Sequence, residues 1–380
     1  MALRSEPPFR ADQVGSLRRP EKLKQARERL LGPHDLDHNF GPHDNGELRA
    51  IEDECIREVV ALQESAGLQS ITDGEFRRHI WWSEFLLSLE GVEGNYRGPT
   101  TEFRDRAGHA MPAPRISVNG KIRWRKSVNL EPFKFLKSIS RQTPKVTMPA
   151  PQSLYFATTP DSINRSVYPD LNALWDDLAI AYRAELAALG GAGCTYVQLD
   201  EVLTSCLCDE RQRAKWRARG DDPEKLLRTY GQTINRLLEG RPPSMRVAIH
   251  TCRGNLQGHW LAEGGYDRVA EYLFNEIAVD AFFLEYDSER AGGFEPLRFV
   301  PSGKTVVLGL ISTKTPELES ADQIVARIEA AAKFIPLDQL CLSPQCGFSS
   351  NYLGNPVTID DEKRKLELVV TVARKVWGNA

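Results

Sequence analysis

Strand-sized apolar runs alternate with helix-sized amphipathic stretches almost from end to end. This alternation limits the fold more than any other feature of the sequence. Residues 47–66 place Leu48, Ile51, Cys55, Val59 and Leu62 at helical spacing, with Gly67 as the expected stop. Short β-rich segments then recur at 68–72, 145–148, 195–199, 246–249, 281–284, 305–311 and 339–343, most of them separated by helical patterns at 171–189, 222–239, 320–334 and 360–377. A first strand near 11–14 brings the count to eight. Repeated strand–helix units imply a parallel sheet, and eight of them favour a closed (β/α)8 TIM barrel over an open doubly wound sheet. The 380 residues are therefore expected to form one α/β barrel domain, 1–380, with insertions.

Two stretches interrupt the pattern. Residues 91–130 are polar and turn-rich, and Asn119-Gly120 stands between Ile116-Ser117-Val118 and Lys121-Ile122-Arg123. That arrangement predicts an inserted β-hairpin turning at Asn119-Gly120. Residues 31–46 carry His34, His38 and His43, which could offer metal donors. Their Pro/Gly/Asp surroundings favour a solvated loop.

Lys and Arg total 49 against 52 Asp and Glu, a net charge of −3 with no basic block, so neither nucleic acid nor an anionic membrane is the expected partner. No apolar run approaches the ~18 residues of a membrane helix. The opening MALRSEPPFRADQ lacks the apolar core of a secretion signal. A soluble cytoplasmic protein is expected, with no signal for its oligomeric state. Seven cysteines (Cys55, Cys194, Cys206, Cys208, Cys252, Cys341 and Cys346) are odd in number and scattered, which fits core thiols, metal ligands or reactive groups better than disulfides.

The reactive residues cluster at the predicted strand ends. His250 and Cys252 follow 246–249, Glu285 ends 281–284, and Cys346 lies just past 339–343. Asp200 and Glu201 end 195–199, and Asp73 and Glu75 follow 68–72. In a parallel barrel these positions converge on the C-terminal rim, where barrel enzymes keep their active sites. One imidazole, one carboxylate and two thiolates are zinc donors, and four of them suit a tetrahedral site. His250 and Cys252, two apart in an extended segment, point the same way.

Ala248-Ile249-His250-Thr251-Cys252, Phe283-Leu284-Glu285 and Ser343-Pro344-Gln345-Cys346-Gly347 resemble the metal-binding segments of cobalamin-independent methionine synthase, in its catalytic C-terminal half. Val14-Gly15-Ser16, Asp73-Gly74-Glu75 and Leu199-Asp200-Glu201 extend the likeness over nearly the whole chain, most closely to short single-barrel relatives. The resemblance implies that His250, Cys252, Glu285 and Cys346 bind Zn²⁺. It also implies that Val14, Gly15, Ser16, Glu75 and Asp200 hold the amino-acid part of homocysteine. The implied activity is zinc-dependent methyl transfer from a 5-methyltetrahydrofolate-type donor to homocysteine, giving methionine. A small-molecule thiol and an alkyl donor are then the partners. Zinc coordination would deprotonate a thiol whose free pKa is about 8.5. Glu285, the hard oxygen donor among softer ones, is the ligand expected to yield to substrate.

The chain also departs from the family. The 380 residues are expected to hold one barrel only, without the second, N-terminal barrel of full-length synthases. Ser312 stands where the family has a proton-donating histidine, with Lys314 or a water as the alternatives for that role, and Val202 replaces the proline of Asp-Glu-Pro. No tryptophan stands at the matching place for stacking a pterin; Tyr155, Phe156, Trp81 and Trp82 are the nearby aromatics. These departures leave two alternatives: transfer of another thiol, such as coenzyme M, to an epoxide or other alkyl donor, or zinc and thiol binding without catalysis. A metal-free decarboxylase on the same barrel is a further one. Among lesser features, the basic run 211–219 reads as a solvated helix face, Gly190-Gly191-Ala192-Gly193 as a turn, Cys206 and Cys208 as packing residues, and His79 as an outside candidate for an acid.

Overall fold

A computed structural model describes residues 4–32, 41–95, 102–104, 110–112 and 115–380, so His34 and His38 lie outside the described residues. The strands are β1 (Ser70–Ile71), β2 (Glu90–Asn95), β3 (Glu102–Arg104), β4 (Ala110–Pro112), β5 (Arg115–Arg123), β6 (Thr143–Pro144), β7 (Val146–Pro149), β8 (Tyr196–Glu201), β9 (Arg246–Thr251), β10 (Ala281–Glu285), β11 (Thr305–Ile311) and β12 (Leu340–Pro344). Six of them, β7 to β12, form one parallel sheet in sequence order. β6 runs into β7 through Lys145 and pairs in parallel with β1, which extends the sheet on one side. On the other side Ala11 bridges Leu342 of β12 in parallel, and the Asp12 N–H donates to the Leu342 carbonyl at 2.9 Å.

The remaining seam, between the 11–15 segment and β1, is closed by side chains. Ser70 Oγ donates to Asp12 Oδ1 at 2.7 Å and Thr72 Oγ1 to the Gly15 carbonyl at 2.6 Å. The result is the (β/α)8 barrel that the alternation predicts.

Alternation along each strand separates two cores. Val197, Leu199, Val247, Ile249, Phe282, Leu284, Val306 and Leu308 face outward into the large apolar cluster shared with the helices. Val14, Tyr196, Ala248, Ala281, Phe283, Val307 and Cys341 form a second, inner cluster that fills the barrel. Beside it Lys145 Nζ sits 3.1 Å from Asp12 Oδ1, both side chains fully buried, while Tyr196 Oη donates to Asp12 Oδ2 at 2.9 Å. Asp12 is thereby hydrogen-bonded on both oxygens, as a buried carboxylate must be. The barrel is a packed plug up to its C-terminal rim, and Asp200 and His250, the inward residues that end β8 and follow the plug on β9, face a cleft.

The helices begin and end where their sequences provide caps. Asn45 accepts from the Leu48 N–H ahead of Gly46–Ala66, and Gly67, at φ 93°, takes the left-handed turn that ends it. Thr358 and Asp361 form a reciprocal capping box at the start of Ile359–Trp377.

The insertion lies between β1 and β6, as nested antiparallel ladders, β2 with β5 and β3 with β4. Its turn is not at Asn119-Gly120, contrary to expectation: β5 runs straight through both residues. A type I′ turn needs positive φ at its two central residues, and neither Asn119 nor Gly120 has it. Instead the register shifts there, and Gly120 packs against Gly91, where a Cβ would stand 2.5 Å from the Gly120 carbonyl oxygen. The pair marks a bulge and a close backbone approach. His43, the third loop histidine, lies 2.9 Å from Glu52 Oε1, and Glu52 also holds buried Arg27 at 2.9 Å and Arg77 at 3.1 Å. It serves as a tie between the loop and the first long helix.

Candidate metal centre and substrate cleft

Asp200, His250 and Glu285 end the inward rows of β8, β9 and β10, and Cys252 continues the row of His250 by two residues. Cys346 arrives on the turn after β12, where Gln345 N–H donates to the Ile311 carbonyl at 2.8 Å. One donor atom from each of His250, Cys252 and Cys346 lies within 4.8 Å of the others, and all three residues are buried. Both ring nitrogens of His250 are buried without a hydrogen-bond partner. An imidazole with two unsatisfied nitrogens beside two sulfurs is costly as a packing arrangement and fits a thiophilic cation.

The two sulfurs face one another. Cys252 holds the Cys346 thiol well below the ordinary range, and Cys346 pushes Cys252 well above it. Burial alone would lower His250, but the Cys346 sulfur, with Asp200 and Glu285, raises it. The pocket therefore concentrates negative charge where a divalent ion would be placed.

Glu285 lies beside this group without joining the 4.8 Å set. Its Oε2 accepts from the Arg253 N–H at 2.7 Å, and its Oε1 is 3.4 Å from Arg290 Nη2 and 3.5 Å from Lys314 Nζ. Burial raises the carboxyl's pKa, but the charges of Lys314 and Arg253 outweigh it and bring the net shift below the usual value. Arg253 is itself fully buried on the Gly264 and Glu285 carbonyls and the Tyr266 hydroxyl. Sequence reasoning missed Arg253 and Arg290. The signal was weak: Arg253 merely follows His-x-Cys, and Arg290 sits on a separate loop.

A cleft opens onto His250, Cys252 and Cys346. Val14, Ser16, Glu75 and Asp200 line it near the metal group, and Ile80, Trp81, Trp82, Phe156, Val202 and Leu256 form its apolar wall. Trp81, Trp82 and Phe156 thus face the cleft. Tyr155 is buried instead, donating to Asp221 at 2.8 Å and stacked on Trp216.

Glu75 occupies a left-handed backbone position, φ 61°, rare for a residue with a side chain and common at functional sites. Its Oε1 accepts from Thr147 Oγ1 at 2.7 Å and lies 3.3 Å from Arg78, while its buried Oε2 has no hydrogen-bond partner. Gly15 is required next to it: a Cβ there would stand 2.5 Å from Thr147 Cγ2 and 3.3 Å from Glu75 Oε1. Asp200 accepts from Gln198 Nε2 at 2.6 Å, and burial pushes its pKa up to about 7. Glu201, its neighbour, is spent on structure, bonded to Thr251 Oγ1 and capping the next helix through the Thr204 N–H. The cleft lining includes three carboxylates and no lysine or arginine. A bound cation or ammonium group is the natural complement.

Ser312 does not reach this cleft. It borders a second one, with Lys314, Arg290 and Trp260, and its N–H donates to Glu319 Oε1 at 2.6 Å. Cys206 packs in a small apolar cluster with Cys252 and Cys346, Cys208 bonds the Thr204 carbonyl, and His79 lies against the Tyr352 ring at 4.8 Å.

The family model described as "Cobalamin-independent synthase, Catalytic domain" matches residues 38–375. The chain belongs to this family. Among its relatives is YxjH of Bacillus subtilis, an uncharacterized protein 40% identical over 372 residues, covering 97% of this chain and 95% of the relative. A methionine synthase of Pyrococcus abyssi is 26% identical over 299 residues, 78% of this chain and 76% of that one. A crystal structure from Listeria monocytogenes superposes with a TM-score of 0.77 at 34% identity, covering 99% of this chain and all of that one. Family membership and the His/Cys group together support a metal-dependent enzyme. Among the described residues no helix is long and apolar enough to cross a membrane.

Proposed function

We propose that the protein is a zinc-dependent thiol alkyltransferase that methylates homocysteine to methionine, using a 5-methyltetrahydrofolate-type donor. The observation that carries the reading is one cleft in which His250, Cys252 and Cys346 share a wall with two inward carboxylates, Glu75 and Asp200. Bound zinc would keep the acceptor sulfur as thiolate at neutral pH, which is the nucleophilic form. Glu285, beside this group, would complete the donor set when the thiol is away.

The chain's own residues do the rest. Glu75 Oε2, buried and unpartnered, and Asp200 receive the substrate ammonium, and the turn at Val14, Gly15 and Ser16 borders the amino-acid end. Ser16 offers a hydroxyl to its carboxylate, since the donors of Ser350 and Asn255 are spent on the Asn255 and Gly347 carbonyls and Thr313. Trp81, Trp82 and Phe156 give a flat apolar donor a surface within the same cleft and exclude water from the methyl group. Holding sulfur and methyl carbon in line is worth a large rate factor by itself. The S–C bond forms as the donor's C–N bond breaks, and the proton for the leaving nitrogen is assigned to solvent, because Ser312 stands outside the cleft.

The test is product analysis by mass. Zinc-loaded protein is incubated with homocysteine and methyltetrahydrofolate, then with other thiols and other alkyl donors. Methionine formation is expected. Consumption of another thiol with homocysteine inert would replace the reading by transfer of that thiol, and zinc and thiol binding with no turnover would make the protein a binder.

A further inference from the structure

Glu285 is held unequally at its two oxygens. Oε2 has a firm hydrogen bond from the Arg253 N–H at 2.7 Å, whereas Oε1 has only the two looser ionic contacts, 3.4 Å to Arg290 and 3.5 Å to Lys314. Lys314 is the more telling partner. Its side chain is more than nine-tenths buried, its ammonium makes no hydrogen bond, and its charge is opposed chiefly by Glu285 and then Asp287. A buried ammonium without hydrogen bonds is expensive, so something must repeatedly supply its counter-charge. Arg290 divides its guanidinium between Glu285 and Asp287, each at 3.4 Å, and lies over the Trp260 ring at 4.4 Å. Both cations line the second cleft and not the substrate cleft.

We propose that Lys314 and Arg290 form a cationic cradle that competes with the metal for the Glu285 carboxylate. The inference rests on the zinc reading above. It makes Lys314 and Arg290 positioning residues: they stabilise the carboxylate when it leaves the metal and so favour entry of the thiol. The exchange balances. One anionic oxygen donor departs with its charge and pairs with two cations, and one sulfur donor arrives having released its proton to the buffer. The loose contacts suit the task, because a short bidentate pair would hold the carboxylate permanently.

The experiment compares wild type with Lys314→Met, Lys314→Arg and Glu285→Gln, each loaded with zinc or with cobalt(II) as a spectroscopic substitute. Zinc affinity is read by competition with a chromophoric chelator, and homocysteine binding by the shift of the cobalt visible bands. Lys314→Met is expected to bind zinc several-fold more tightly and homocysteine roughly tenfold more weakly, the range of an ordinary coupling between sites. Lys314→Arg should restore both. On the Glu285→Gln background Lys314→Met should change both far less, since the competing carboxylate is gone and only the charge of Lys314 on the Cys346 sulfur remains.

A folded Lys314→Met protein with unchanged zinc and thiol affinities would overturn the cradle alone, and so would one that binds zinc more weakly. Failure of the wild type to bind zinc at all would sink the zinc reading and the cradle together. A thermal melt of each variant separates these results from misfolding.

Discussion

Asp200 and His250 stand opposite one another on neighbouring parallel strands, partners in the β8–β9 register. A carboxylate suited to an ammonium group and the imidazole of the metal group therefore share one rung of a rigid ladder. Gln198, one inward position earlier on β8, donates to both Asp200 and the Val14 carbonyl at 2.6 Å, tying that rung to the first barrel segment. Side chains mounted on strands keep their separation better than side chains on loops. Under the proposed function this rung sets the distance between an ammonium on Asp200 and a sulfur beside His250.

That distance makes a prediction about acceptor choice. Glu75→Gln and Asp200→Asn should each weaken homocysteine binding about tenfold or more, the usual effect of losing a charge-assisted hydrogen bond. Binding of 4-mercaptobutanoate, which lacks the amine, should hardly change. Calorimetric titration of the two thiols into zinc-loaded protein checks this, and equal losses for both would remove the ammonium role.

Cys252→Ser and Cys346→Ser should each lower zinc affinity by at least a hundredfold and abolish turnover, because a neutral hydroxyl replaces a thiolate donor. Metal content after dialysis against a chelator is the readout. A zinc-free Cys346→Ser protein with full activity would count decisively against the metal mechanism.

The barrel was legible in the sequence because its period-two and helical runs are local properties. The rim residues were legible because a parallel barrel brings strand ends together whatever their separation in the chain. Asn119-Gly120 misled because the same dipeptide serves a hairpin turn or a bulge, and only Gly91, on another strand, decides which. Likewise nothing in Asp200-Glu201 reveals that Glu201 is consumed by Thr251 and Thr204 while Asp200 faces the cleft. The Glu285 surroundings stayed hidden for the same reason. Arg290 and Lys314 sit on loops after different strands, and only the pairing of β10 with β11 makes them neighbours.

Gly309→Ala tests how tightly the strands around the metal group are packed. Gly309 is the register partner of Glu285, and a Cβ there would stand 2.6 Å from Gln345 Cα and 2.8 Å from the Leu284 carbonyl oxygen. Both are backbone atoms that cannot swing aside, so the strands must part, at a cost of about 1–3 kcal/mol. The same movement displaces Glu285 and Cys346, so zinc affinity should fall along with the denaturation midpoint. A variant with wild-type values in both measurements would show that the loop after β12 yields more easily than its contacts suggest.

Stability should fall as pH rises from about 5 to 8, a consequence of two buried carboxyl groups outside the His/Cys group. Burial pushes Glu84 up to about 7 and Glu362 up to about 8, from an ordinary value of 4.5. Glu362 accepts one hydrogen bond, from the Arg18 N–H at 2.8 Å, and its other oxygen is buried without a partner. Between pH 4.5 and 8 the folded chain therefore keeps protons that the unfolded chain has already released. More protons bound to the fold than to the unfolded state means that unfolding free energy declines with rising pH, and the decline ends once pH passes the folded value. For Glu362 the loss across that window is on the order of a few kcal/mol, since each pKa unit is about 1.4 kcal/mol. Glu362→Gln keeps an acceptor for Arg18 and cannot ionise, so denaturant unfolding at pH 5, 6.5 and 8.5 should show a flatter profile, with the variant gaining on wild type at the alkaline end. Glu84→Gln should remove a smaller share, confined below about pH 7. If Glu362→Gln retains the full wild-type slope, the carboxyl is already ionised in the fold at neutral pH, with Arg18 and Arg19 supplying the charge that holds it so.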